Sequence, residues 1–423
     1  MLLRFEVSNF RSILDPVELS MIAVDEDRAA ARGFEQLSER VLTVAGIYGP
    51  NASGKSTVLE ALFWLSYSVH MSLRLWDDIV PCRPHRFGGG SDRPSTFEVD
   101  FEVGGVRHSY RLEVVYGGVL FESLYSYPER RRRMLFEREG DEISFRRGLT
   151  GVGGIQQLLT PTTLALSAAM RLGNPVIGAA GRALSWMNAL GPKRQGATPF
   201  LPPEHDPLTE LLAGQFEDWT TESGPDRAIR DGYVELLRFA DPEIDDVVIL
   251  TDDDPEPSDP RRRLRFVRTD AGEPVLFEIG QESAGTQAWF NLLGPAFGAL
   301  RHGQVLLFDE IDASLHPRLS TRLIELFQDP QTNPHNAQLI FTSHDTSLMN
   351  ALNRDEVWFT EKASGGATRL VALAEFGGDR VRRSLNLERA YLQGRFGAIP
   401  DVDQADLRSA VGAALEVASA ASG

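Results

Sequence analysis

Cysteine is nearly absent from this 423-residue chain, in which Cys82 is the single example. One cysteine can form neither an intramolecular disulfide nor a cysteine-based zinc cluster, so the sequence excludes both. No apolar run reaches about 18 residues and no signal-peptide pattern opens the chain, so we expect a cytoplasmic protein without a membrane span. Only three of the 43 basic residues are lysine. The net charge of −17 argues against a protein that coats nucleic acid over its whole surface, but it does not exclude a local basic groove.

One of the three lysines lies in a stretch that predicts nucleotide binding. Residues 49–56 fit G-x-x-x-x-G-K-[ST], between an apolar run typical of a buried strand (41–47) and a helical pattern (57–65). There Lys55 would reach the β- and γ-phosphates and Ser56 would bind Mg²⁺. A chance match in so lysine-poor a chain is rare, roughly a few in a thousand on composition. The predicted phosphate-binding residues are Gly49, Pro50, Asn51, Ala52, Ser53, Gly54, Lys55, Ser56 and Thr57.

The remaining patterns predict an α/β fold with added elements. Strict apolar–polar alternation over 96–103, followed by glycine turns and returning strands, predicts an antiparallel meander that forms a second sheet. We predict further meander strands over 107–115 and 120–125, later strands over 245–250, 263–268 and 275–279, and helices over 156–171, 176–190, 208–219 and 228–239. The corresponding division is an N-terminal lobe (1–125), a mainly helical insertion (126–245), a C-terminal lobe (246–400) and a helical tail (401–423).

Three later stretches add polar groups to the predicted site. Ser283 and Gly285 come just before a helical pattern, where exposed amides form an anion site, although many helices begin this way. Asp309 and Glu310 end a buried strand, at the edge where open α/β sheets bind ligands. Asp309 would hold Mg²⁺ through water and Glu310 would act as general base. His344 follows another apolar strand and would reach a γ-phosphate.

In chain order, these motifs resemble the ABC-class ATPase heads of the RecF, SMC and OLD group. The parts of the resemblance are a Walker A loop (49–57), a signature (283–287), a Walker B strand (304–310), a D-loop (Asp312-Ala313-Ser314) and a switch histidine (His344). The opening Asn9-Phe10-Arg11-Ser12 is similar to that group's first turn, where the arginine lies near the nucleotide. Residues 5–13, 355–362 and 389–400 look like the stand-alone AAA/ABC-type ATPases of prokaryotic defence operons, including those of the AbiL and PARIS type.

The resemblance implies an ATPase that uses ATP and Mg²⁺ and works as a head-to-head pair. Ser283, Gly285 and Asp312 of one copy would complete the site around Lys55 of a second copy. It also implies a switch that controls a separate nuclease or effector subunit in anti-phage defence, with DNA or a phage protein as trigger. The alternative is a RecF-like repair ATPase that clamps DNA. A transporter ATPase, which would need a membrane partner, fits least well because of the large antiparallel and helical insertions and the similarity at the N-terminus.

The sequence departs from the pattern of ABC heads in three places. Residues 58–130 contain no glutamine, so the usual Mg²⁺-sensing position is vacant or filled by another residue. No long heptad stretch is present, and the helical patterns of 155–240 stand where an SMC-like arm would be. The C-terminal part also lacks the Toprim nuclease domain of OLD proteins.

Two charged stretches allow more than one interpretation. The four arginines 130–133 would contact DNA, RNA or an acidic partner, or they would form a solvated hairpin tip. The acidic residues of 252–260 would bind a divalent metal, but the three prolines among them favour a solvated loop.

Overall fold

The computed structural model describes residues 1–34, 38–185, 187–191, 225–249, 264–313, 315–363, 365–376 and 386–396. Its strands are β1 (Leu2–Ser8), β2 (Val17–Ser20), β3 (Ala31–Arg32), β4 (Val41–Leu42), β5 (Val44–Tyr48), β6 (Ser95–Val103), β7 (Val106–Val115), β8 (Gly118–Ser126), β9 (Arg133–Glu139), β10 (Glu142–Phe145), β11 (Met187–Leu190), β12 (Asp246–Ile249), β13 (Leu264–Asp270), β14 (Glu273–Glu278), β15 (Val305–Phe308), β16 (Gln338–Thr342), β17 (Val357–Lys362) and β18 (Thr368–Ala372). Its helices are α1 (Lys55–Leu75), α2 (Gly153–Leu158), α3 (Ala165–Arg171), α4 (Ile177–Ser185), α5 (Pro225–Ala240), α6 (Ala284–His302), α7 (Pro317–Gln328) and α8 (Leu387–Leu392).

A central sheet of six strands carries the predicted site, in the order β11-β15-β16-β5-β17-β18. The first five strands are parallel, and β18 pairs antiparallel with β17 at one edge. Every residue of β5, β15 and β16 is buried, because α1 covers one face of the sheet while α6 and α7 cover the other. Parallel strands buried on both faces are nearly all apolar, which explains the runs in the sequence. Their carboxyl ends meet at one edge.

The second sheet has seven antiparallel strands in the order β10-β9-β8-β7-β6-β1-β2. The predicted meander is confirmed, because β6, β7 and β8 pair in sequence through tight turns. The apolar side chains of this sheet pack against α1, α3 and α4 in one continuous core. The later strands β12, β13 and β14 lie where strands were predicted, and they form a separate antiparallel sheet.

Two of the predicted helices were wrong in extent. Residues 156–171 form α2 and α3 rather than one helix, and Pro161 lies in the break, where it lacks an N–H donor. The helix predicted over 176–190 ends at Ser185, and Met187–Leu190 instead forms β11, which pairs with β15. The backbone groups at the edge of the central sheet determine the conformation of residues 187–190, since strand pairing there outweighs local helix propensity.

The other predictions for residues 126–245 have mixed outcomes. The helix predicted over 228–239 is confirmed within α5. The helix predicted over 208–219 and the acidic stretch 252–260 lie outside the described residues. Strands β9 and β10 extend the antiparallel sheet inside this range, alongside its helices, and the proposed division into four segments stays a prediction. No helix in the described part of the chain is long and apolar enough to cross a bilayer.

Candidate functional site

The loop between β5 and α1 requires glycine at two positions. Gly49 has φ 148° and Gly54 has φ 110°, both in the region that favours glycine. A Cβ atom on Gly54 would lie 2.0 Å from the Thr368 hydroxyl oxygen, and one on Gly49 would lie 2.4 Å from the Thr360 carbonyl oxygen. The loop is therefore pressed against β17 and β18, and α1 begins directly after it at Lys55.

Hydroxyl groups hold in place this predicted phosphate-binding loop (residues 49–54), which we call the phosphate loop. Ser53 Oγ and Thr360 Oγ1 lie 2.6 Å apart and share a hydrogen bond, while Thr368 Oγ1 donates to the Ser53 carbonyl at 2.8 Å. Ser12 Oγ donates to Thr57 Oγ1 at 3.0 Å and lies 2.9 Å from Thr368 Oγ1. Sequence reasoning missed both threonines as site residues. Nothing marked them, because threonine is an ordinary strand residue.

The Lys55 side chain is only 5% exposed and folds over its own loop. Its Nζ donates to the carbonyl oxygens of Gly49 at 2.9 Å and Pro50 at 3.1 Å. These bonds keep the ammonium group at the mouth of the loop, beside the amides that precede α1. The arrangement suits an anion that binds at a helix N-terminus.

Asp309 lies at the carboxyl end of β15, opposite the start of α1. Its Oδ1 accepts hydrogen bonds from Ser56 Oγ at 2.9 Å and from Thr342 Oγ1 at 2.7 Å. The Thr342 oxygen in turn accepts from the Glu310 backbone N–H at 2.7 Å. Glu310 adopts the left-handed region with φ 55°, a conformation that non-glycine residues hold at some cost. Three elements separated by up to about 290 residues thus converge at one point of the sheet edge.

The predicted D-loop and switch histidine also lie together. Asp312 Oδ1 accepts from Ser343 Oγ at 2.7 Å and from the His344 N–H at 3.1 Å. The Ser343 N–H donates to the Ile47 carbonyl at 3.2 Å, which links this segment to β5. The His344 side chain is exposed. Ser314 lies outside the described residues.

The remaining predicted residues lie on other parts of the surface. Arg11 has φ 52° and forms an ion pair with Glu60 on α1, so its guanidinium is held one turn beyond the phosphate loop. Ser283 caps α6 by accepting from the Thr286 N–H at 3.1 Å. Ser283 and Gly285 are exposed, and a Cβ on Gly285 would meet only Ser283 Oγ, at 3.9 Å. This helix start therefore has an open approach from outside the chain.

Ser56 and Asp309 supply a hydroxyl and a carboxylate oxygen, which are ligand types that suit a magnesium ion directly or through water. The two oxygens lie 2.9 Å apart because they share a hydrogen bond. No group of three or more His, Cys, Asp or Glu side chains in the described ranges is placed to hold a metal. An ion here would therefore need further ligands from phosphate and water.

Comparison with known families identifies the chain. Residues 44–350 match the family described as "AAA domain, putative AbiEii toxin, Type IV TA system". No curated protein matches. Three solved structures are similar: an SMC head bound to the C-winged helix domain of ScpA (16% identity, TM-score 0.44, 88% of this chain and 97% of the other), the SMC head domain from Thermotoga maritima (13%, 0.40, 88% and 98%), and the Pyrococcus furiosus SMC head domain with an extended coiled coil bound to the C-terminal domain of ScpA (14%, 0.42, 88% and 97%).

The TM-scores are below 0.5, so we base no argument on these three similarities. The family match stands on its own, because it spans well over half of the chain and runs from β5 through the end of the segment that carries His344. The chain belongs to this AAA-domain family, and its fold is of the α/β class.

Proposed function

We propose that this protein is a switch ATPase that binds and hydrolyses ATP. The observation that carries the proposal is the hydrogen-bonded chain Ser56–Asp309–Thr342–Glu310 at the mouth of the phosphate loop. It joins the three groups that hydrolysis needs: a phosphate-binding loop, a pair of metal ligands and a carboxylate. The phosphate-binding residues would be the loop 49–57, with Lys55 neutralising the β- and γ-phosphates.

The position of each side chain in the site suggests its role in hydrolysis. Ser56 and Asp309 would hold Mg²⁺, which would supply positive charge to the phosphates. Glu310 would accept a proton from the attacking water, and its backbone bond to Thr342 fixes where its side chain starts. His344, on the adjacent segment, would contact the γ-phosphate. Arg11 would lie near the nucleotide, and its guanidinium is paired with Glu60 on α1.

A second copy of the chain would complete the site. Ser283 and Gly285 are exposed at the start of α6, where amides and the helix dipole attract an anion. In the proposed pair, these residues of one copy close on ATP held by Lys55 of the other, with Asp312 near the interface. ATP then favours the closed pair through contacts that the open form lacks, and hydrolysis resets it.

The proposed biological role is control of a toxic partner in anti-phage defence. The family description, which names a toxin and a type IV toxin–antitoxin system, supports this role. The partner would be a separate nuclease or other effector subunit, and the trigger would be DNA or a phage protein. Identification of the proteins that co-purify with the chain, before and after phage infection, tests this part of the proposal.

The variant Glu310→Gln tests the switch itself. It removes the proposed general base but leaves the proposed metal ligands Ser56 and Asp309 unchanged. We therefore expect turnover to fall about 10²- to 10⁴-fold while ATP binding persists. Size-exclusion chromatography with ATP and Mg²⁺ should then show an accumulated dimer or larger assembly. The matched control Lys55→Ala should lose both ATP binding and assembly. Turnover by Glu310→Gln at the wild-type rate, or no assembly with ATP, would contradict the proposal.

A DNA clamp is the second candidate, and the arginine hairpin between β8 and β9 favours it. Arg130–Arg132 are exposed, and the Arg132 guanidinium lies 3.8 Å from the centre of the Tyr125 ring. A guanidinium held by an aromatic face keeps its N–H donors available for phosphate, whereas one in an ion pair does not. The Tyr125 hydroxyl donates to Glu137 at 2.5 Å, which fixes the ring.

Salt dependence of DNA binding decides between the two candidates. A clamp that uses this hairpin should lose about three units of slope in log K against log salt when Arg130, Arg131 and Arg132 are changed to Gln. The same change at Arg171, Arg182 and Arg301, which are also exposed, serves as control. No measurable DNA binding, or an equal effect of both triple variants, would eliminate the hairpin as a clamp surface.

A further inference from the structure

Tyr48 is the last residue of β5 and directly precedes the phosphate loop. Its side chain is 1% exposed and meets Phe341 edge-on, with ring centres 6.2 Å apart and an interplanar angle of 81°. Gly46 makes room for both rings, since a Cβ there would lie 2.8 Å from Phe341 Cζ and 3.0 Å from Tyr48 Cε2. The ring is therefore fixed by packing and cannot turn its hydroxyl toward solvent.

The Tyr48 hydroxyl is buried without a hydrogen-bond partner among the described residues, and so is Asp345 Oδ2. The Ser343 N–H donates to the Ile47 carbonyl at 3.2 Å, so the segment that carries Asp345 lies beside the end of β5. Burial raises the pKa of Tyr48, and the charges of Asp345 and Asp312 raise it further. An unpaired donor thus lies near an unpaired acceptor, and neither has exchanged its lost hydration for a bond. Buried polar groups are nearly always paired. The arrangement therefore favours a second conformation in which the Tyr48 hydroxyl donates a hydrogen bond to Asp345.

Asp345 lies on the segment that carries His344, and its contacts are local. Its Oδ1 accepts from the Ser347 N–H at 2.9 Å, and its own N–H donates to Ser343 Oγ at 2.9 Å. Ser343 Oγ donates to Asp312 Oδ1 at 2.7 Å. A small shift of this segment against the fixed Tyr48 ring would carry Asp345 Oδ2 toward or away from the hydroxyl. The same shift would move His344.

We propose that Tyr48 is a positioning residue that donates a hydrogen bond to Asp345 in the nucleotide-bound state and so selects the placement of His344. The inference rests on the proposed ATP-binding function. The hydroxyl and Asp345 Oδ2 have no hydrogen-bond partner in the described structure. Without nucleotide they would stay unpaired, which would destabilise that state. In the bound state they pair. The free energy of this hydrogen bond is gained only when nucleotide binds, so it adds to the affinity for nucleotide.

The variant Tyr48→Phe removes the hydroxyl and keeps the ring. Without nucleotide, its Tm should equal or exceed that of the wild type, since an unpaired buried group has been removed. Its affinity for a non-hydrolysable ATP analogue with Mg²⁺ should fall about 10- to 100-fold, the range for a hydrogen bond to a charged acceptor. At saturating ATP, turnover should also fall, because His344 is less well placed. Adding Tyr48→Phe to Asp345→Ala should cause no further loss of affinity.

Tyr110→Phe is the matched control. Tyr110 is also fully buried, but its hydroxyl donates to Glu122 Oε1 at 3.0 Å in the antiparallel sheet. This variant should lower the Tm without nucleotide and leave nucleotide affinity unchanged. If Tyr48→Phe behaves in the same way, its hydroxyl is already paired, through water for example, and the inference is overturned. Unchanged nucleotide affinity in Tyr48→Phe also overturns it. If the wild type itself binds no nucleotide, the proposed function fails, and this inference fails with it.

Discussion

At the scale of single residues, Thr342 connects Asp309, a proposed metal ligand, to Glu310, the proposed general base. Its hydroxyl donates to Asp309 Oδ1 and accepts from the Glu310 N–H, and only a group that is both donor and acceptor can do this. The residue is fully buried at the end of β16. It therefore orients the Asp309 carboxylate and the backbone of Glu310, two residues that directly follow β15.

Replacing Thr342 by Val keeps the shape and removes both hydrogen bonds. We expect a loss of about 1–3 kcal/mol in the free energy of unfolding, because the Glu310 N–H is left unpaired. ATP turnover should fall at least about tenfold, the effect of losing about 1.4 kcal/mol of orientation, while nucleotide affinity changes little. Denaturant unfolding and steady-state ATPase assays measure the two effects. Thr342→Ser should restore both, and a Val variant with wild-type turnover would contradict the role assigned to the hydroxyl.

At the scale of elements, a buried charge pair joins the antiparallel sheet to α3. The Glu122 carboxylate on β8 accepts from the backbone N–H groups of Ala165 and Leu166, which begin α3. Arg138 on β9 donates to the carbonyl oxygens of Thr160 and Thr163 just before that helix. Both side chains are fully buried and lie 3.9 Å apart. The helix is thus held at its start by groups from two neighbouring strands.

Replacing Arg138 by Leu should destabilise the protein by about 3–5 kcal/mol near pH 8, because it leaves a buried carboxylate without a cation. The loss should be smaller near pH 5.5. Burial raises the pKa of Glu122 and Arg138 lowers it, so the pKa rises further in the variant. In the window between the usual and the raised pKa, the folded state holds a proton that the unfolded state releases, and stability therefore falls as pH rises.

Chemical denaturation at the two pH values measures this difference. Arg322→Leu is the control, because Arg322 pairs with Glu325 on the exposed side of α7 and should cost at most about 1 kcal/mol. A loss that is independent of pH in Arg138→Leu would show that Glu122 does not respond to this arginine.

At the scale of the whole molecule, the two large sheets share a core that encloses the single cysteine. Cys82 is buried in the cluster that combines the antiparallel sheet with α1, α3 and α4. Burial raises the pKa of its thiol to about 12, from an ordinary value of 9.0. At pH 8 the thiolate fraction is therefore about 1,000-fold below that of an exposed thiol.

The Cys82 thiol should report unfolding of the whole core. We expect the native protein to resist an aromatic disulfide reagent at pH 8, and the urea-unfolded chain to react at once. Under native conditions the labelling rate should follow the population of the open state, so a ligand that binds the folded state should slow it. Complete labelling of the native protein within seconds would show instead that this part of the core opens locally.

The sequence alone determined the parts of this protein that are local in the chain. The phosphate loop, the strands that precede Asp309 and His344, and the meander over 96–125 were predicted because each is specified by neighbouring residues. The structure has each of these elements at its predicted place. The chemical roles of their side chains stay predictions.

Only the tertiary structure decided which distant residues meet. Thr342, Thr360 and Thr368 became part of the site because β16, β17 and β18 lie beside the phosphate loop in the folded sheet. Residues 187–190 became a strand because the edge of β15 offered backbone partners. Local propensity carries no information about such partners, since the pairing free energy comes from groups more than about a hundred residues away in the chain.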